Sequence, residues 1–220
     1  LQKVVHETVA EISYRRIRED IIFGRLVPGQ KLRLENLKEV YDTSISTLRE
    51  ILSRLSSEGF VLAEGQKGFE VSGVSVADLK ETAELRLLLE THALDQSFLR
   101  GDVDWEAGLV AAHYKLAHME QLMKTGDTSQ SADWKRYDWE FHQALIAACG
   151  STLLMETHAT VFDKYLRYQM VALSYRGDVA AREHQQLLDA ALNRDAESAR
   201  KILVLHIQGG VEHATAQGAF

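Results

Sequence analysis

Cysteine and proline are almost missing from this chain: one of each, Cys149 and Pro28, in 220 residues. A lone cysteine excludes an internal disulfide and fits a reducing compartment, which makes the cytoplasm the expected location. Set beside Ala147 and Ala148, Cys149 reads as a small buried hydrophobe rather than a nucleophile. Long apolar runs are missing too. None approaches the roughly 18 residues needed to span a bilayer, so no membrane partner is expected. The N-terminal residues lack the basic, apolar and small-residue succession of a signal peptide. We find no internal repeat and no low-complexity segment.

Positive charge is also short, with a net charge of −7, which weighs against a nucleic-acid partner for the chain as a whole. The deficit is not evenly spread. Residues 1–75 hold 11 Lys/Arg and 11 Asp/Glu, whereas residues 76–220 hold 14 against 21. A neutral segment can still bind phosphates if its cations share a face, while the acidic remainder cannot be the DNA-facing part.

What is present divides at the same place, predicting domains 1–74 and 75–220. In the first, Val9, Ile12, Ile17, Ile21 and Ile22 give helical spacing. Gly24 ends that helix, and Leu26-Val27-Pro28-Gly29 makes a turn. A short helix over 33–40 leads into Tyr41-Asp42-Thr43-Ser44, where Asp42 tolerates a left-handed backbone. Ser46 is the expected N-cap of the next helix, which has an apolar face of Leu48, Ile51, Leu52 and Leu55. Phe60-Val61-Leu62-Ala63 and Phe69-Glu70-Val71 then form a hairpin. Three helices and a hairpin are a winged helix-turn-helix. From Ser75 onward every segment reads as helix, about 76–99, 104–125, 130–148, 151–173, 179–192 and 195–215. Short connections between them imply an antiparallel six-helix bundle. The fold class is therefore mainly α.

A recognition helix meets the major groove with its first residues. Here these are Ile45, Ser46, Thr47 and Arg49, with Arg49 able to grip guanine through two hydrogen bonds or to clamp a phosphate. Arg33 and Lys67, at the start of the preceding helix and at the hairpin tip, suit phosphates or the adjacent groove. The alternative is that Arg49 and Arg54 pair with Glu50 and Glu58 on a solvated face.

In the bundle, Asp138 and His142 stand four apart on one helix face, about 5–6 Å from each other. His184 and His206 lie eleven residues either side of Asp195, at equal depth in a helical hairpin. Three imidazoles and a carboxylate suit a divalent transition metal, Zn, Ni, Mn, Co or Fe, with positions left for water or a ligand. Counting turns sets His142 and His184 toward opposite ends unless the helix over 151–173 bends or the bundle is skewed, and core histidines without a metal are the alternative. His92, His113, His118, His158 and His213 show no partner pattern. A metal-dependent hydrolase is the rival function. Glu183 would be its general base, but neighbours on a helix point about 100° apart, so Glu183 is expected to face away.

The stretch Ile22 to Leu32 resembles the I-x-G-x-L-x-P-G-x-x-L signature of GntR-type bacterial transcription regulators. Ser44 to Leu52 is similar to that family's S-x-x-x-x-R-E-x-L, Leu55 to Val61 to its L-x-x-E-G-L-V, and Gly68-Phe69-Glu70-Val71 to its wing. The chain departs from the usual pattern at Asp42, Ile45 and Thr47. The resemblance adds Ser44 and Gly68 to the DNA-facing set. Further on, Glu84 to Glu90 resembles the L-R-x-x-L-E opening of the FCD effector domain of the FadR branch. Asp138-x-x-Phe141-His142, Glu183-His184 and His206 are similar to its metal-binding motifs, and six helices rather than seven point to the VanR-like subgroup. The resemblance implies that Asp138, His142, His184 and His206 hold a metal. It also implies a small organic-acid effector bound through its carboxylate. Arg86, whose guanidinium can bind a carboxylate with two hydrogen bonds, is a candidate second anchor, and Arg167 and Tyr168 on the fourth helix of the bundle are further candidates. Arg86 has a competing explanation, an ion pair with Glu90. The expectation is a homodimeric regulator, a repressor rather than an enzyme, bound to a near-palindromic operator in double-stranded DNA.

Overall fold

The computed structural model describes residues 7–63, 65, 68–126, 130–172, 175–218 and 220. The chain divides into two compact units, Leu1–Ser75 and Val76–Phe220.

In the first unit, α1 (Val9–Ile22) opens on a capping box. The Thr8 hydroxyl accepts from the Glu11 N–H at 3.2 Å, and the Glu11 carboxylate accepts from the Thr8 N–H at 2.8 Å. Two of the helix's four orphan N–H groups are thereby satisfied. Ile17, Ile21 and Ile22 are buried, whereas Val9 and Ile12, expected on the same face, are exposed. Helix α2 (Leu34–Tyr41) ends at Asp42, whose φ of 48° is left-handed as the turn requires. Helix α3 (Ile45–Ser57) is capped by Ser44, not by Ser46: the Ser44 hydroxyl accepts from the Thr47 N–H at 3.1 Å. The helix therefore starts at Ile45, three residues after the left-handed Asp42, and Ser46 falls in the first turn. Leu48, Ile51, Leu52 and Leu55 are buried as their spacing demands.

The hairpin consists of β2 (Val61–Ala63) and β3 (Phe69–Val71), antiparallel, with Val61 opposite Val71. A two-residue strand that the sequence reading lacks, β1 (Lys31–Leu32), lies on the other side of β3 with Leu32 opposite Phe69. Two residues are too few to show alternation, so only their pairing with β3 reveals them.

The second unit holds, among the described residues, α4 (Val76–Arg100), α5 (Val103–Met123), α6 (Ser131–Ile146), α7 (Thr152–Val171), α8 (Asp178–Leu192) and α9 (Ala196–Ala216). A 3₁₀ turn, Ala147–Cys149, joins α6 to the left-handed Gly150. No helix of the described residues is long and apolar enough to cross a membrane. Neighbours in sequence pack as expected for α5 with α6 and α8 with α9. Helix α4 instead packs mainly on α7 and α9, and α5 reaches α8. This crossed arrangement brings α6, α8 and α9 to one centre, which a strictly sequential hairpin stack would not do.

Candidate functional site

The first unit presents a polar surface at the start of α3. Ser44, Ser46 and Arg49 are exposed, and Ile45 and Thr47 are half-buried beside them. Arg33 is exposed at the head of α2. Arg54 does pair with Glu58, at 3.3 Å, and lies over the Tyr14 ring. Arg49 makes no ion pair among the described residues, so the solvated-face alternative applies to Arg54 only. Gly68 takes φ +94°, a conformation glycine adopts without strain. Lys67 lies outside the described residues.

In the second unit Asp138, His142, His184 and His206 meet. One donor atom from each lies within 4.8 Å of all the others, and all four residues are buried. The imidazole rings stand 4.6 to 5.8 Å apart, centroid to centroid. Each ring is held from behind by a carboxylate. His142 Nδ1 lies 3.0 Å from Glu90 on α4, His184 Nδ1 2.7 Å from Glu120 on α5, and His206 Nδ1 2.8 Å from Glu183 on α8. A carboxylate only accepts, so each Nδ1 is the donor and each Nε2 keeps its lone pair when the ring is neutral. The Nε2 atom of His142 is buried without a hydrogen-bond partner, and that of His184 meets Asp138 Oδ1 at 3.3 Å. Buried polar atoms are normally satisfied. An orphaned imidazole nitrogen beside a second one that meets an aspartate fits a bound cation, and a carboxylate behind each ring is the usual support of a metal-binding histidine.

Charge in the cluster follows from burial. It pushes His142 and His206 down, His206 well below the usual imidazole range, so both rings are neutral. His184 is the exception. Burial would lower it, but Asp138 and Glu120 on either side raise it to about 9. Without a metal, the His184 proton supplies the positive charge between those carboxylates. Asp138 and Glu90 stay ionised. Burial opposes this, but Lys135 beside Asp138 and Arg86 beside Glu90 hold both well below the usual carboxylate range.

Several of these partners correct the sequence reading. Glu183 does not face away from the site. It accepts from Arg176 at 2.6 Å as well as from His206, and those bonds, working against its burial, hold it at about 2. Adjacent residues 100° apart can serve two neighbours at once: His184 points to the centre while Glu183 reaches α9. His158 is no bystander either. It is buried with Nε2 2.7 Å from Glu90 and Nδ1 2.7 Å from Gln143. Glu120, Lys135, Gln169 and Arg176 were not singled out from sequence, because their roles depend on which helices pack together.

Of the three further anchors, Arg86 makes the competing ion pair, at 2.6 Å from Glu90, and lies between the Phe162 and Tyr165 rings. Its Nη2 is buried without a hydrogen-bond partner. Arg167 is buried on α7, and Tyr168 packs edge-on against Phe220. A small cavity beside the histidines is bordered by Trp134, Lys135, Asp138, Gln169, Arg176, Ala180, His184 and His206. That border includes none of the three anchors.

Comparison with known proteins accounts for both units. Residues 10–71 match the bacterial regulatory proteins of the gntR family, and residues 81–209 match the FCD domain. The chain belongs to the GntR family of transcription regulators, with an FCD effector domain. It is 33% identical over 206 residues to the HTH-type transcriptional regulator BphR of Paraburkholderia xenovorans (strain LB400), spanning 93% of this chain and 84% of that one. It is 31% identical to the HTH-type transcriptional repressor GlaR of Escherichia coli (strain K12), over 89% of this chain and 90% of that one. The solved structure of E. coli McbR/YncC shares the fold, with a TM-score of 0.80, 22% identity and coverage of 97% and 100%. As a GntR regulator the chain is a DNA-binding protein, not an enzyme, and the hydrolase alternative is set aside.

Proposed function

We propose that this regulator is a metal-dependent sensor of a small organic acid, and a repressor that releases its operator when the acid binds. The observation that carries the reading is the histidine centre. Three imidazoles are each fixed at Nδ1 by a carboxylate, and their Nε2 sides turn toward one another and toward Asp138. A divalent transition ion held by Asp138, His142, His184 and His206 would offer open positions to a carboxylate ligand. Zn, Ni, Mn, Co and Fe all suit a mixed N/O set of this kind. Arg86 has one guanidinium nitrogen still unpaired but stands outside the border of the cavity beside the histidines, so it would support such a site through Glu90 and His142.

The protein acts as a cytoplasmic homodimer. Arg33, Ser44, Ile45, Ser46, Thr47, Arg49 and Gly68 face one half of a near-palindromic operator. The similarity to GlaR, a transcriptional repressor, supports the sign of regulation. The ligand's effect on DNA affinity is bounded by its differential affinity for the two conformations.

A thermal-shift screen of small carboxylic acids, with divalent metal and after chelation, tests the reading. A ligand at ~100 times its Kd adds about 2.7 kcal/mol, roughly 5–10 °C for a chain of this size. The expected result is a shift with one acid that vanishes on chelation. No shift with metal or acid would overturn the reading.

A further inference from the structure

Lys135 is a buried cation, 4% exposed, on the wall of the cavity beside the histidine centre. An ammonium has three protons to place. Gln169 Oε1 takes one. Asp138 Oδ2 stands at 3.4 Å, a long bond. The rest of its surroundings include the Trp134 ring, 3.9 Å from Nζ to the centroid. The other cation on that wall is already engaged: Arg176 donates to Glu183 and to the His206 carbonyl. Arg86 is held by Glu90 and does not border the cavity. Arg176 also keeps N–H groups to spare, but its charge is met by Glu183 at 2.6 Å, whereas Lys135 meets Asp138 only at 3.4 Å, which leaves Lys135 as the less closely paired cation on that wall.

Charge balance points the same way. Arg86, Lys135 and Arg176 are the cations joined around the histidines. Glu90, Glu120, Asp138 and Glu183 are the carboxylates. A divalent ion bound to neutral imidazoles leaves these groups with one surplus positive charge. Unbalanced charge inside a protein is costly. One ligand carboxylate cancels it, and a second carboxylate would overshoot.

We propose that Lys135 reads the ligand in this chain, donating to the carboxylate of a small mono-anionic organic acid held between it and the histidine centre. This rests on the metal-centre reading above and supplies the ligand class for it.

The test loads Co²⁺ into the whole protein and follows its visible absorption while acetate, malonate or acetamide is added. The unmodified chain is expected to take up Co²⁺ and to give a saturable spectral change with acetate, a weaker one with malonate and none with neutral acetamide. Lys135→Met is expected to keep its Co²⁺ and bind acetate about 10- to 100-fold more weakly, the loss of a charged hydrogen bond. Lys135→Gln serves if the methionine variant does not fold. Equal acetate affinity in a folded variant, or loss of Co²⁺ from it, overturns the role given to Lys135. Tighter binding of malonate overturns the mono-anion class. Acetamide binding as well as acetate overturns charge reading without any variant. If the unmodified chain binds Co²⁺ but not acetate, this inference alone falls. If it takes up no Co²⁺, the metal centre falls as well.

Discussion

The two units carry their candidate sites in opposite ways. In the first, most of the proposed DNA-facing groups lie within one short run, Ser44 to Thr47 and Arg49, at the start of one helix. In the second, the four candidate ligands come from three helices and are buried, and they depend on carboxylates from α4, α5 and α8. A surface site needs little more than its own helix and cap. A buried polar site needs every donor matched by an acceptor, so it recruits residues across the whole bundle. Changes in the first unit should therefore weaken one function locally. Changes in the second should propagate.

The largest effect should come from the centre of the bundle. His184→Ala combined with His206→Ala is expected to lower bound metal to background in elemental analysis, with helicity retained. Unchanged stoichiometry would mean that the metal is held elsewhere. One step out, Glu120→Gln leaves all four ligands but removes the carboxylate behind His184. Metal affinity should fall about 10- to 100-fold. An unaltered affinity would reduce Glu120 to packing and weaken the contrast between the two units.

How much was legible follows the same divide. All the helices, the wing and the αL turn at Asp42 are local patterns, and the sequence reading placed them to within a few residues. The four candidate ligands could also be named, because Asp138 and His142 share a helix face and His184 and His206 flank one turn symmetrically. What remained hidden depends on non-sequential packing. Glu120 supports His184 because α5 lies against α8, and Glu90 supports His142 because α4 runs past α6. Lys135 carries no motif, and its importance comes from being buried one turn before Asp138. Strand β1 and the Ser44 cap were missed for the opposite reason: each is so short that only a hydrogen bond identifies it.

On the first unit, Arg49→Ala should weaken specific operator binding by about 10- to 100-fold, the loss of a two-bond base contact, without changing the melting temperature. Fluorescence anisotropy with operator and scrambled duplexes would separate base reading from phosphate contact. An equal loss on both duplexes would place Arg49 on the backbone.

Metal-free protein provides a pH test. His184 is raised from 6.5 to about 9 in the folded chain by Asp138 and Glu120, against its own burial. A group whose folded pKa is raised stabilises fully below its unfolded value and loses that contribution as pH rises through the folded value. The apo bundle should therefore lose stability between about pH 6.5 and 9, while metal affinity rises over the same interval as the ion displaces the proton. Flat apo stability across that interval would contradict the charged His184.

The smallest expected effect separates two roles at Ser44. As a cap, its hydroxyl accepts from the Thr47 N–H. As a DNA contact, it would donate to a phosphate. Ser44→Ala removes both and should cost about 1 kcal/mol of stability, together with some operator affinity. Ser44→Asp keeps a good cap acceptor but sets a negative charge against the phosphate. It should retain the melting temperature and lose affinity. If the aspartate variant binds operator normally, Ser44 is a cap alone, and the DNA-facing surface of the first unit begins at Ile45.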